Sequence, residues 1–151
     1  MAIKRSLAFF FVAVLGLATF GCSSGSSSST TKTPTSFVKG SPDLPDFYGV
    51  PDPLPAGKPG ELINSEPVEV PGLNGSLSRV MYHSTNISGQ DIAVTGLLLI
   101  PKGNAPSGGW PVITWAHGTT GIADACAPSL KPAEFVTTAN GLLAAGYLVV
   151  A

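Results

Sequence analysis

Polar and apolar residues alternate from Ser78 to Thr85, which places Val80, Tyr82 and Ser84 on one face of a strand and Arg79, Met81, His83 and Thr85 on the other. Turn-forming residues follow at Asn86-Ile-Ser-Gly-Gln-Asp91, and Ile92 to Ile100, β-branched at its start and closed by Pro101, predicts a second, longer strand. The two make an antiparallel hairpin in which His83 reads as an ordinary strand residue. After the polar turn Lys102–Gly109, Val112 to Trp115 is a short apolar run rich in β-branched and aromatic residues, read as a buried strand. It stops at the small-residue turn His117-Gly-Thr-Thr-Gly121. Ile122 to Leu130 has no period. From Pro132, which suits the first position of a helix, Phe135, Ala139, Leu142, Leu143 and Ala145 recur at helical spacing until Gly146, a natural stop. Tyr147 to Ala151 is continuously apolar, as a strand buried on both faces of a parallel sheet would be.

Strand, glycine turn, helix and strand form a βαβ unit behind a hairpin, which predicts an α/β fold. A last strand with no covering element after it leaves apolar faces and an unpaired edge. The expectation is therefore that residues 1–151 are the amino-terminal part of a longer domain; the alternative is a complete small domain.

The beginning of the chain follows other rules. Lys4 and Arg5 precede an apolar run, Leu7 to Phe20, too short to span a bilayer comfortably but suited to the core of a secretory signal. Cys22 follows Thr19-Phe20-Gly21 and precedes a serine- and threonine-rich stretch that builds no core and serves as a flexible tether. This resembles a bacterial lipoprotein signal, in which the cysteine is lipidated, although Thr19 stands where leucine is usual. The expected organisation is a signal over 1–22, a tether over 23–45 and the fold from about Asp46 to Ala151. The protein is then exported and held at the cell envelope by acyl chains on Cys22, each buried methylene contributing about 0.8 kcal/mol. Ordinary cleavage nearby, giving a soluble secreted protein, is the alternative. Prolines crowd residues 32–71 and rule out long regular elements, while Phe47, Tyr48 and Val50 stand among them like anchors. Such a segment is either an arm lying across a domain surface or a disordered linker.

Length, charge and cysteines narrow the function. A chain of 151 residues with net charge −1 suggests one domain and neither nucleic acid nor an acidic partner. Two cysteines, Cys22 and Cys126, make no disulfide framework and no metal site, and no glycine-rich nucleotide fingerprint occurs, so no cofactor is expected.

The candidate chemistry lies in the turn after the apolar run. Gly118 and Gly121 permit positive φ or close approach, which leaves amides near Thr119 free to face a ligand. A hairpin followed by βαβ, with this turn after the first central strand, resembles the opening of an α/β-hydrolase, where the loop after the third strand supplies half of the oxyanion hole. Two longer pieces narrow the resemblance: Phe47-Tyr48 through Pro53-Leu-Pro-Ala-Gly-Lys-Pro-Gly60 to Leu62-Ile-Asn-Ser-Glu-Pro67, and His117-Gly-Thr-Thr-Gly121 with Cys126-Ala-Pro-Ser129. In this order they resemble the secretory lipase family of α/β-hydrolases, over about Asp46 to Ala151.

The resemblance implies a serine esterase acting on acylglycerols or other carboxylic esters, with the Thr119 amide as an oxyanion donor and its hydroxyl as a second one. Gly118 gives the backbone room, Thr120 shares the loop, and Gly121 turns it away. His117 is expected to orient the loop, because the triad base comes last in chain order in this fold. Asp124 comes too early for the triad acid and reads as a solvated loop carboxylate. Cys126 is expected to pair with a later cysteine. No Gly-x-Ser-x-Gly occurs in residues 1–151, so nucleophile, acid and base are expected elsewhere and this stretch alone is expected to be inactive. Rival readings are another serine hydrolase of the fold (a feruloyl or polyester esterase, or a peptidase) and a non-catalytic surface lipoprotein.

Overall fold

A computed structural model describes residues 33–34 and 36–151. The signal-like segment, Cys22 and the tether up to residue 32 lie outside the described residues. The elements are β1 (Ser36–Val38), β2 (Val50–Asp52), β3 (Leu62–Pro67), β4 (Gly75–Thr85), β5 (Asp91–Pro101), β6 (Val112–Thr114), α1 (Val136–Ala144) and β7 (Leu148–Val150). β1 and β2 form an antiparallel ribbon, and the other strands form one sheet in the order β3-β4-β5-β7-β6. β4 runs antiparallel to both β3 and β5, β7 runs antiparallel to β5, and β6 runs parallel to β7. Hairpin and βαβ unit are thus both present, joined along β5 and β7.

Local chemistry accounts for the hairpin and for the end of the helix. Asn86 Oδ1 accepts the N–H groups of Ser88 (2.9 Å) and Gln90 (3.0 Å), a side-chain mimic of a turn that fixes the register from Thr85↔Asp91 to Gly75↔Pro101. At the end of α1, Gly146 has φ +82°, its N–H donates to the Leu143 carbonyl, and the Tyr147 N–H donates to that of Leu142. These two bonds satisfy carbonyls that the helix leaves open, and they require the left-handed residue that glycine supplies.

One face of the sheet carries the core. Leu77 on β4, Leu97 and Leu99 on β5 and Val149 on β7 pack against Phe135, Ala139 and Leu143, spaced four apart on the helical segment. Each such large apolar side chain contributes about 1.5–3 kcal/mol on burial. A second cluster of Phe47, Tyr48 and Met81 lies on the same strand face farther along β4. Its two aromatic rings meet edge to face at 5.4 Å. Between the two expectations for the proline-rich segment, the structure has the anchored arm.

Three features depart from the sequence pattern. Pairing begins at Ser36, ahead of Asp46, and the proline-rich segment yields three short strands, with Pro51 inside β2 and Pro67 ending β3. Prolines are tolerated there because an edge strand leaves some N–H positions outside the ladder. The Val112 to Trp115 run is not buried: it stands at the edge of the sheet, and Val112 is 60% exposed. β7 is buried on one face only, with Val149 fully buried and Leu148 and Val150 half-buried.

Candidate functional site

The backbone leaves the sheet directly after β6. The Trp115 N–H donates to the Val150 carbonyl at 2.7 Å, and beyond it the amides from Ala116 to Gly121 meet no acceptor among the described residues. They are exposed donors on a loop between the edge strand and a run of short 3-10 turns at Asp124–Cys126, Pro128–Leu130 and Pro132–Phe135.

Two contacts shape this loop. His117 Nδ1 donates to the Gly118 carbonyl oxygen at 2.7 Å, leaving Nε2 as an acceptor in the neutral ring. The Gly118 carbonyl and the Thr119 N–H belong to one planar, trans peptide unit and point in opposite directions. Holding the carbonyl therefore aims the amide. At the other end, Gly121 has φ +121°, and a Cβ placed there would lie 2.6 Å from Cys126 Sγ. Glycine is required at that position for both conformation and space. Gly118 has no atom within 4 Å of the corresponding point, so its part is open room beside the loop.

The loop rims a cavity of about 450 Å³ whose wall includes Trp115, Thr119, Thr120, Cys126, Phe135 and Thr138. Trp115 and Phe135 meet edge to face at 5.3 Å and make its apolar wall. Lys131 and Glu134 lie on its rim, 3.9 Å apart and both more than half exposed, so their attraction is worth little. The cavity thus joins an apolar surface to exposed amide donors, a combination suited to a carbonyl compound with an apolar group.

His117, Gly118, Thr119 and Thr120 all line the cavity, and Gly121 closes their loop. Cys126 stands in its wall as a half-buried thiol with no disulfide partner among the described residues. Asp124 is not part of it; its carboxylate packs against the Gly40 backbone and borders a separate space of about 320 Å³ beside Tyr48. His83 also lies elsewhere, buried, with Nδ1 2.9 and 3.0 Å from the two Asp91 carboxylate oxygens. Gly57 covers its other nitrogen so closely that a Cβ there would lie 2.2 Å from Nε2. This histidine–carboxylate pair ties β4 to β5, and the Gly57 stretch of the proline-rich arm lies against its ring.

Sequence reasoning did not place Phe135 and Thr138 at the site. Their three-residue separation, which puts them on one face of a helical segment, is the signal that was there to be used. Ser129 stood in the quoted Cys126-Ala-Pro-Ser129 segment without a role of its own; it is 4% exposed and bound by residues far away in the sequence.

No protein-family model matches this sequence, and no curated protein does. Among solved structures, the fold is similar to that of Candida antarctica lipase A in its closed state, with a TM-score of 0.52 and 21% sequence identity. The match covers 62% of this chain and 25% of that lipase, so the chain corresponds to a minor part of the lipase's length. Together with the mixed sheet and its few helices, this likeness is that of a lipase-like fold, compatible with part of an α/β-hydrolase.

Proposed function

We propose that this chain supplies the oxyanion-stabilising part of an exported carboxylic ester hydrolase of the serine-triad type, acting on acylglycerols or related esters. The observation that carries the reading is the loop after β6: amides at Gly118, Thr119 and Thr120 that meet no acceptor among the described residues, on the rim of a half-apolar cavity. The fold likeness to a lipase supports it. Attack on an ester carbonyl creates a tetrahedral intermediate with a negative oxygen. Donors already aimed at that oxygen need no reorganisation, and losing one costs about 2.7–4 kcal/mol of barrier lowering. Thr119 offers its N–H and, beside it, a hydroxyl; His117 holds the peptide plane through the Gly118 carbonyl. Trp115 and Phe135 give the acyl or alcohol group of the substrate an apolar wall. The nucleophile, base and acid come from sequence beyond residues 1–151, and acyl chains on Cys22 hold the enzyme at a membrane surface.

The test uses the longer polypeptide that carries the nucleophile, with p-nitrophenyl esters as substrates. Thr119→Pro removes the N–H, and kcat is expected to fall by about 10²–10³ with KM little changed. Full kcat in a folded Thr119→Pro variant would remove the loop from the oxyanion hole. Ester hydrolysis by residues 1–151 alone, abolished by the same substitution, would show that the nucleophile is not elsewhere.

A further inference from the structure

We propose that Arg79 is a positioning residue for the Thr119 loop, acting through Ser129 and the 3-10 turns that carry Cys126; this rests on the oxyanion reading above. Arg79 projects from β4, its side chain 11% exposed. Its Nε–H donates to the Ser129 carbonyl at 3.0 Å, and a terminal nitrogen pairs with the Glu66 carboxylate on β3. Its guanidinium carbon lies 5.6 Å from the Phe47 ring centre and 5.5 Å from that of Tyr48. Charge, planar fork and stacked rings are used together here, which a lysine does not reproduce.

Ser129 is where these elements converge. Its hydroxyl shares a 2.8 Å hydrogen bond with the Tyr48 hydroxyl and lies 3.4 Å from Thr95 Oγ1. The turns on either side have little to hold them from within. Single i→i+3 bonds close them: Cys126 N–H to the Ala123 carbonyl, Ala127 to Asp124, Leu130 to Ala127 and Lys131 to Pro128. Such short 3-10 pieces are weak alone. Cys126, on the first turn, packs its sulfur against Gly121, the end of a loop whose amides make no hydrogen bonds among the described residues. With no backbone bonds of its own, that loop takes its position from this wall and from His117. A shift at Ser129 is passed through Cys126 and Gly121 to the donor at Thr119.

The test compares wild type with Arg79→Met and Tyr48→Phe, the latter removing only the hydroxyl bond to Ser129. In residues 1–151, amide exchange at Cys126, Ala127, Leu130 and Lys131 is expected to quicken about tenfold in Arg79→Met, and less in Tyr48→Phe. The Leu99 and Val149 amides in the sheet should keep their rates. In the longer, active polypeptide, kcat per titrated active site is expected to fall roughly ten- to a hundredfold in Arg79→Met, with KM unmoved. Unchanged exchange at the turns overturns the proposal. Faster exchange with unaltered kcat also overturns it, because Arg79 is then only a structural tie. If Arg79→Met does not fold, Tyr48→Phe decides by the same two readings. A longer polypeptide with no esterase activity removes the oxyanion reading and this proposal together, whereas an active one indifferent to both substitutions removes this proposal alone.

Discussion

Replacing Gly121 by alanine tests the loop geometry without reference to any substrate. The residue has φ +121°, a conformation L side chains rarely adopt, and holding alanine there costs about 1–3 kcal/mol. The new Cβ would also lie 2.6 Å from Cys126 Sγ and 3.2 Å from its Cβ, so the cysteine must move, and forced repacking of this kind costs about 1–3 kcal/mol. Because the loop is exposed and relieves part of the strain by moving, the expected loss is about 3 kcal/mol. For a domain of this size that is a fall in Tm of about 12 °C. Gly118→Ala is the internal control, since its Cβ meets nothing within 4 Å, and it should stay within about 0.5 kcal/mol of wild type. Adding Cys126→Ala to Gly121→Ala removes the sulfur and should return about 1 kcal/mol, leaving the conformational part in place. The assay is thermal unfolding of residues 1–151 followed by circular dichroism. Equal stability of Gly121→Ala and Gly118→Ala, or no coupling with Cys126, would refute the account of how the loop is shaped.

Three further outcomes follow from other contacts. His117→Phe removes the donor to the Gly118 carbonyl, so under the proposed ester-hydrolase reading kcat of the parent enzyme should fall by about tenfold at constant KM, measured by steady-state ester hydrolysis. Leu143→Ala opens a hole against Leu77, Leu97 and Leu99 and should cost about 3 kcal/mol in urea unfolding, with an unchanged m-value. Gly57→Ala drives a Cβ to 2.2 Å from His83 Nε2 and should cost about 2 kcal/mol, partly recovered when His83→Ala is added; a cycle without coupling would show that the arm does not press on that ring.

Several parts of this architecture were legible in the residues. Alternation in Ser78–Thr85 and the β-branched run from Ile92 marked the hairpin, and Asn86, whose side chain ties the turn, sat between them. Pro132 and Gly146 bracketed the helical segment, because one lacks the N–H that a helix start leaves idle and the other takes the left-handed stop. The His117–Gly121 turn was legible for the same reason: two glycines after an apolar run free the backbone from the ladder. β3 and the β1–β2 ribbon were hidden by prolines, which lower the local tendency to regular structure while leaving room for short paired edges.

The sequence by itself determined what depends on neighbours a few residues apart: strand and helix periods, turns, caps and the glycines that let a loop present its amides. Tertiary structure decided which surfaces those pieces share. Val112 to Trp115 reads as buried because it is apolar, yet burial depends on what lies alongside, and β6 has no strand on its outer side among the described residues. His83 reads as one strand residue among others, and only folding brings Asp91 and Gly57 against it. The tie between Arg79, Tyr48 and Ser129 joins residues 50 and 81 positions apart, a meeting no local pattern encodes, because it is set by loop closure and side-chain packing once the sheet has formed.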